Sequence, residues 1–253
     1  MVNAIKYKTI RIKKTNVNLR KEIFNYCKEN IINTWGTFPN SYIIHKINTS
    51  DAIVLALNGS EIVGFGQYKF YNSNINHVTY CAIGLIIIKQ EWQNRSIGNV
   101  LLLHLFFRAF IDNLIIYKKY ILDIIYVTDN ILYISIIKKI SNFVYPDISK
   151  FDIKKNKQPN ADDATWSISK HYLSRVGERI FRLQREGNII SGSYDDVPNL
   201  LIKTRQVSIH GHQEKMFYNK YMLNRKKQNE VVVRAKCNLL LLIRLLLKKF
   251  IIT

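Results

Sequence analysis

Polar and apolar residues alternate from Tyr7 to Ile12, which predicts a first strand. Asn16 or Asn18 can then cap a helix through Trp35, because Ile23, Cys27, Ile31 and Trp35 recur at every fourth position. A short apolar run, Ile53 to Leu57, meets Asn58-Gly59-Ser60-Glu61, a strong hairpin signal. The return strand runs from Ile62 to Tyr71, with Phe65, Gln67, Lys69 and Tyr71 on one face and Gly66, Tyr68 and Phe70 on the other. A long strand is predicted over Val78 to Ile88, then an apolar helix from Val100 to Tyr117 with Leu101, Leu105, Arg108 and Asp112 at helical spacings. Ile121 to Val127 reads as a strand and Asn130 to Ser141 as a helix. Strand and helix thus mix in the order β-α-β-β-β-α-β-α, a mixed α/β pattern without internal repeats.

Beyond Pro146 the pattern loosens. Ile148 to Asp163 is polar and reads as a loop, whereas Ile168, Tyr172, Val176, Ile180 and Leu183 form a stripe that predicts a helix from Thr165 to Gly187. Ser191 to His212 reads as loop with a short strand over Leu200 to Thr204, and Val231-Val232-Val233 is a compact strand signal. The closing run, Leu239 to Ile252, is apolar but broken by Arg244, Lys248 and Lys249, and is shorter than the roughly 20 residues of a spanning helix. It fits a helix docked on the sheet or in a homodimer contact better than a membrane span. Met1 to Lys14 lacks the apolar centre of a signal peptide.

Composition sharpens this picture in two places. Cys27, Cys81 and Cys237 are scattered and odd in number, so neither a disulfide framework nor a zinc ribbon is offered, and a reducing, cytoplasmic setting is the expectation. The formal net charge is +20, which suggests nucleic acid. Yet Ile, Asn and Lys occur 39, 25 and 26 times, a bias that affects the whole chain, and part of the charge follows from it. No separate polyanion-binding domain stands out: residues 1–150 carry +9 and the rest +11.

One segment points to chemistry. The strand ending in Ile86-Ile87-Ile88 feeds Lys89-Gln90-Glu91-Trp92-Gln93-Asn94-Arg95-Ser96-Ile97-Gly98-Asn99, and a helix follows at once. The free N–H groups and positive dipole end of such a helix face the loop, which suits a phosphate; Gly98 permits close approach and Arg95 adds charge. The stretch Leu85 to Leu102 resembles the acetyl-CoA-binding motif of the GNAT acetyltransferase superfamily, in which Gln/Arg-x-x-Gly-x-Gly/Ala opens a helix. Gln93, Ile97 and Gly98 match, while Ser96 replaces the first Gly, and its Cβ makes a positive φ there strained.

This resemblance implies an acyl-CoA N-acyltransferase fold over residues 1–147, a mostly antiparallel sheet flanked by helices. Residues 148–253 are then an extension that completes the sheet at 231–236 and ends in the apolar helix at 237–252. It implies an N-acetyltransferase that moves an acetyl group from acetyl-CoA directly to an amine of unidentified class. The amides of Asn94, Arg95, Ser96, Ile97, Gly98 and Asn99, behind Gln93, then hold the pyrophosphate. The edge of Ile86, Ile87 and Ile88 pairs with the pantetheine arm, Asn130 occupies the family position after the fifth strand, and no metal is implied.

The catalytic side of the resemblance is thinner. The family helix carries a Tyr seven residues after that Asn, where this chain has Ile137; Tyr133 lies one turn earlier. Candidates for the base are Glu91, Tyr80 and His77. The missing Tyr keeps a CoA-binding but non-catalytic module open. Arg175, Arg179, Arg182 and Arg185, spaced as one helical face, keep nucleic-acid association open. His210-Gly211-His212 lacks the spacing of a metal site, and Asp162-Asp163 is placed to cap the helix beginning near Thr165.

Overall fold

A computed structural model of the chain describes residues 4–35, 39–73, 77–128, 131–176, 182–191, 211–222, 229–238 and 240–241. Their contacts define two compact units: one drawn from residues up to Phe70 and from Ile83–Lys118, the other from Tyr71–Ala82 and from Lys119 onward.

The first unit holds β1 (Lys6–Ile10), α1 (Val17–Trp35), α2 (Asn40–Thr49), β2 (Ala52–Asn58), most of β3 (Glu61–Ser73), the end of β4 (Val78–Ile88) and α3 (Ile97–Tyr117). Its strands lie in the order β1-β2-β3-β4, and β1, β2 and β3 pair antiparallel. Asn58 opposes Glu61, so the hairpin turns on Gly59 and Ser60, with Gly59 at φ 62° as the tight turn requires. Asn16 Oδ1 accepts from the Leu19 N–H at 2.8 Å, the N-terminal cap expected of α1. Ile23, Cys27 and Ile31 of α1 then pack with Ile43 and Ile47 of α2 against Ile53, Leu55, Phe65 and Ile87 of the strands.

α2 is absent from the hydrophobic pattern; it follows Pro39, whose fixed φ is suited to a helix start. α3 is long and apolar enough to cross a bilayer by length and composition, yet Leu101, Leu102, Leu105, Phe106 and Phe110 are buried within the protein. Its buried Asp112 takes Arg11 at 2.5 Å, Arg108 at 3.2 Å and the Tyr68 hydroxyl, which satisfies a carboxylate inside an apolar layer.

The second unit contains the start of β4, then β5 (Ile121–Thr128), α4 (Ile131–Lys138), β6 (Ser141–Tyr145), α5 (Asp163–Val176), β7 (Leu183–Gln184), β8 (Ile189–Ile190), α6 (His212–Phe217) and β9 (Glu230–Asn238). Strand order here is β4-β5-β9-β8-β7. One edge of β9 pairs with all of β5, from Ile121↔Asn238 to Thr128↔Val231. The other is shared by β8 at Glu230 and Val231 and by β6 from Arg234 to Cys237. Every pairing of β9 is antiparallel. Inside this ladder Arg234 forks onto Asp123 of β5 at 2.7 and 3.0 Å, and also reaches the Thr165 hydroxyl at 3.1 Å. The molecule is therefore mixed α/β with a largely antiparallel sheet flanked by helices, as the sequence implies.

Two expectations are corrected. The helix predicted over Thr165 to Gly187 spans Asp163–Val176, capped by Asp162 Oδ1 accepting from the Thr165 N–H at 2.6 Å; Leu183 lies in β7 and Gly187 turns the β7–β8 hairpin at φ 65°. Arg182 and Arg185 therefore leave the helix that carries Arg175, and the basic stripe is not one helical face; Arg179 lies outside the described residues. The predicted helix from Asn130 to Ser141 is also shorter, because Ser141 begins β6. The expected strand over Leu200 to Thr204, His210 and nearly all of the closing apolar run lie outside the described residues.

Candidate active site

β4 does not alternate regularly. A Cβ on Gly84 points into the side chain of Gln67, within 2.7 Å of its amide nitrogen, on the face where Gln67 meets the Ser50 hydroxyl at the end of α2. The next residue, Leu85, packs against the α1–α2 layer on that same face, as does Ile87. Two successive residues facing one way mark a β-bulge, which disrupts pairing and re-aims the backbone beyond it. Only a residue without a Cβ fits at 84 while Gln67 keeps its place.

Past the bulge, Ile87 is fully buried and Ile86 and Ile88 are half-buried. The strand ends in a tied-down loop: Gln93 Nε2 donates to the Ile88 carbonyl at 3.1 Å, and the Lys89 N–H donates to the Val63 carbonyl at 3.1 Å. Asn94 and Ser96 both adopt left-handed backbone, at φ 62° and 60°, and Ile97 starts α3 immediately. The first intrahelical bond is Val100 N–H to the Ser96 carbonyl at 3.1 Å, so Ile97, Gly98 and Asn99 precede the regular ladder. A left-handed residue followed by right-handed helix turns successive N–H groups to one concave side, an arrangement that binds anions. Asn94, Arg95, Ser96 and Asn99 are exposed, Gly98 is half-buried, and Ile97 anchors the turn in the core. Arg95 lies 4.9 Å from the Trp92 ring centroid, which holds its charge beside the loop. The first glycine of the family motif is thus replaced by a serine that still takes the glycine conformation.

These features suit a diphosphate: exposed N–H groups at a 21-residue helix's start, a neighbouring guanidinium, and an irregular strand leading to them. Bound there, acetyl-CoA supplies the activated thioester carbonyl.

The catalytic candidates scatter. Glu91 is exposed and paired with Lys89 at 2.7 Å; that hydrogen bond holds its carboxyl below the usual range, so it is ionised but solvated. His77 is exposed, with φ 48°. Tyr133 is half-buried on α4, Ile137 is fully buried beside it in the chain, and Asn130 lies outside the described residues. Tyr80 is fully buried, and desolvation pushes its phenol well up, so it stays protonated. Its hydroxyl meets His171 Nδ1 at 2.8 Å, a partner ninety-one residues away on α5 that strand periodicity could not reveal. Among the described residues no cluster of three metal-ligating side chains occurs.

Residues 20–117 match the model of the acetyltransferase (GNAT) family. No curated protein matches the chain. Solved structures similar to it include Arabidopsis thaliana NAA60 in complex with acetyl-CoA, at 12% identity and TM-score 0.40, covering 54% of this chain and 84% of that one. The ribosomal-protein-alanine N-acetyltransferase of Brucella melitensis biovar Abortus 2308 is similar at 13% identity and TM-score 0.32, covering 42% and 72%. An aminoglycoside acetyltransferase, HMB0005, from an uncultured soil metagenomic sample is similar at 16% identity and TM-score 0.32, covering 42% and 72%.

Proposed function

We propose, for a chain whose residues 20–117 match the GNAT acetyltransferase family, that it transfers an acetyl group from acetyl-CoA directly to an amine. The observation that carries this reading is the loop itself: two left-handed residues, Asn94 and Ser96, in front of the free N–H groups of α3. Those amides and Arg95 take the pyrophosphate. The irregular backbone at Gly84 and Leu85 offers an N–H to the thioester carbonyl, where negative charge develops during attack. The edge of Ile86 to Ile88 carries the pantetheine arm as an added strand. Tyr133 stands one turn before the usual position of the group that protonates the departing sulfur. The acceptor is an amine of a small molecule or a protein.

Titration calorimetry with CoA is the direct test. We expect saturable 1:1 binding that Gly98→Glu abolishes, because a carboxylate at 98 meets the same N–H groups and repels the pyrophosphate. Binding that survives this change sinks the loop assignment. A non-catalytic, CoA-binding module is the second reading, favoured by the buried Ile137 at the place of the family Tyr. Release of free thiol from acetyl-CoA in the presence of primary amines separates the two.

A further inference from the structure

We infer that His171, on the helix α5 outside the matched family segment, is the group that takes the proton from the acceptor amine, and that Tyr80 positions it. This rests on the transfer reading above and names the base that reading lacks. His171 Nδ1 lies 2.8 Å from the Tyr80 hydroxyl and its Nε2 lies 3.4 Å from Arg175 Nε. Guanidinium can only donate, so Nε2 is the accepting nitrogen. The neutral tautomer that satisfies both contacts carries its proton on Nδ1 and gives it to the Tyr80 oxygen. Nε2 then presents its lone pair toward the exposed Arg175 side chain, at a long contact that an incoming ammonium can replace.

Position supports the role. Tyr80 precedes Gly84 by four residues on β4, about 13 Å of strand, short of where the thioester is proposed to lie. Tyr71 stacks on Tyr80 with ring centroids 5.7 Å apart, and Tyr172 closes on Tyr71 at 6.3 Å. These rings lock the phenol, so the imidazole is held from behind as a triad acid holds its histidine. The titratable and charged groups facing the ring are Tyr80 from β4 and Arg175 from α5, with Tyr71 and Tyr172 one layer farther out. Desolvation, then the Arg175 charge, hold the imidazole below its usual range, so it is uncharged and able to accept at neutral pH.

The step balances. Nε2 takes one proton from R–NH3+; the freed nitrogen bonds to the thioester carbon; the C–S bond breaks with its electrons going to sulfur. The sulfur leaves as the thiol, having gained the second proton the nitrogen loses.

The test uses the full chain, acetyl-CoA, and three amine probes: spermidine, a tripeptide with a free amino terminus, and kanamycin. Activity of the parent protein should fall as pH drops through the lowered imidazole value, below about 6.5. His171→Gln should lower kcat by roughly 100-fold or more while calorimetric CoA affinity stays unchanged. Arg175→Gln removes the neighbouring positive charge and should move the acid limb of the profile to higher pH, a readout that misfolding does not imitate. Tyr80→Phe leaves the imidazolium unsupported and should move it to lower pH. A His171→Gln protein that binds CoA and keeps the parent rate and acid limb overturns the inference. So does a parent protein that binds CoA but acetylates none of the probes. Failure of the parent to bind CoA instead overturns the function proposed above.

Discussion

Ser96 sets the sharpest constraint at the residue scale. It occupies φ 60° and ψ 2°, where a Cβ costs about 1–2 kcal/mol, and its neighbour Asn94 takes a similar φ with the side chain that tolerates it best after glycine. Ser96→Gly should leave stability unchanged or raise it by up to about 1 kcal/mol, because glycine's extra freedom when unfolded offsets part of the relief. Ser96→Val should lower stability by about 1–2 kcal/mol and weaken CoA binding, since a branched side chain resists this conformation most. Urea unfolding of the two variants checks the sign of both changes. That serine's conformation was legible in the sequence, because the motif around it specifies backbone angles. The partner of Tyr80 was not, because a hydrogen bond between a strand and a helix ninety-one residues later leaves no local trace.

Register is decided at the scale of elements. β5 and β9 are apolar on nearly every position, so alternation alone does not choose between registers one or two residues apart. The fork of Arg234 onto Asp123 does, because any slip strands two buried charges. Arg234→Met should destabilise the fold by about 3–5 kcal/mol, whereas Asp123→Leu combined with Arg234→Met should recover much of that loss. Chemical denaturation of the single and double variants measures the difference. Elements with strong local signals were readable: the β2–β3 hairpin, β4 and α3 follow from turn chemistry and periodicity. The errors have physical sources. Ile180 and Leu183 continue the spacing of Ile168 and Tyr172, but Leu183 pairs with Ile190 across a hairpin, and pairing outweighs propensity there. β6 is five residues long and gains its place from β9, nearly a hundred residues ahead of it in the chain.

For the whole molecule, the charge of +20 now has a narrower use. A chain this basic draws polyanions of any kind, and a diphosphate ligand is among them. The rate of CoA association should fall severalfold between low and physiological salt, with a much smaller change in dissociation. Stopped-flow measurement across ionic strength checks this, and a salt-independent association rate refutes it. Buried thiols add nothing to the anion site: Cys27, Cys81 and Cys237 are all free and enclosed, and burial pushes Cys237 up to about 12.

β9 lies between β5 and β8 although it comes from the far end of the sequence. During synthesis, β5 leaves the ribosome about a hundred residues before the strand that covers it, a wait on the order of 5–20 s. Throughout that interval eight residues of apolar edge stand open to any other extended chain. A message cut short before Glu230 gives a polypeptide that never closes that edge, however complete its nucleotide loop. Such a fragment is a substrate for chaperones and proteases before it is a catalyst.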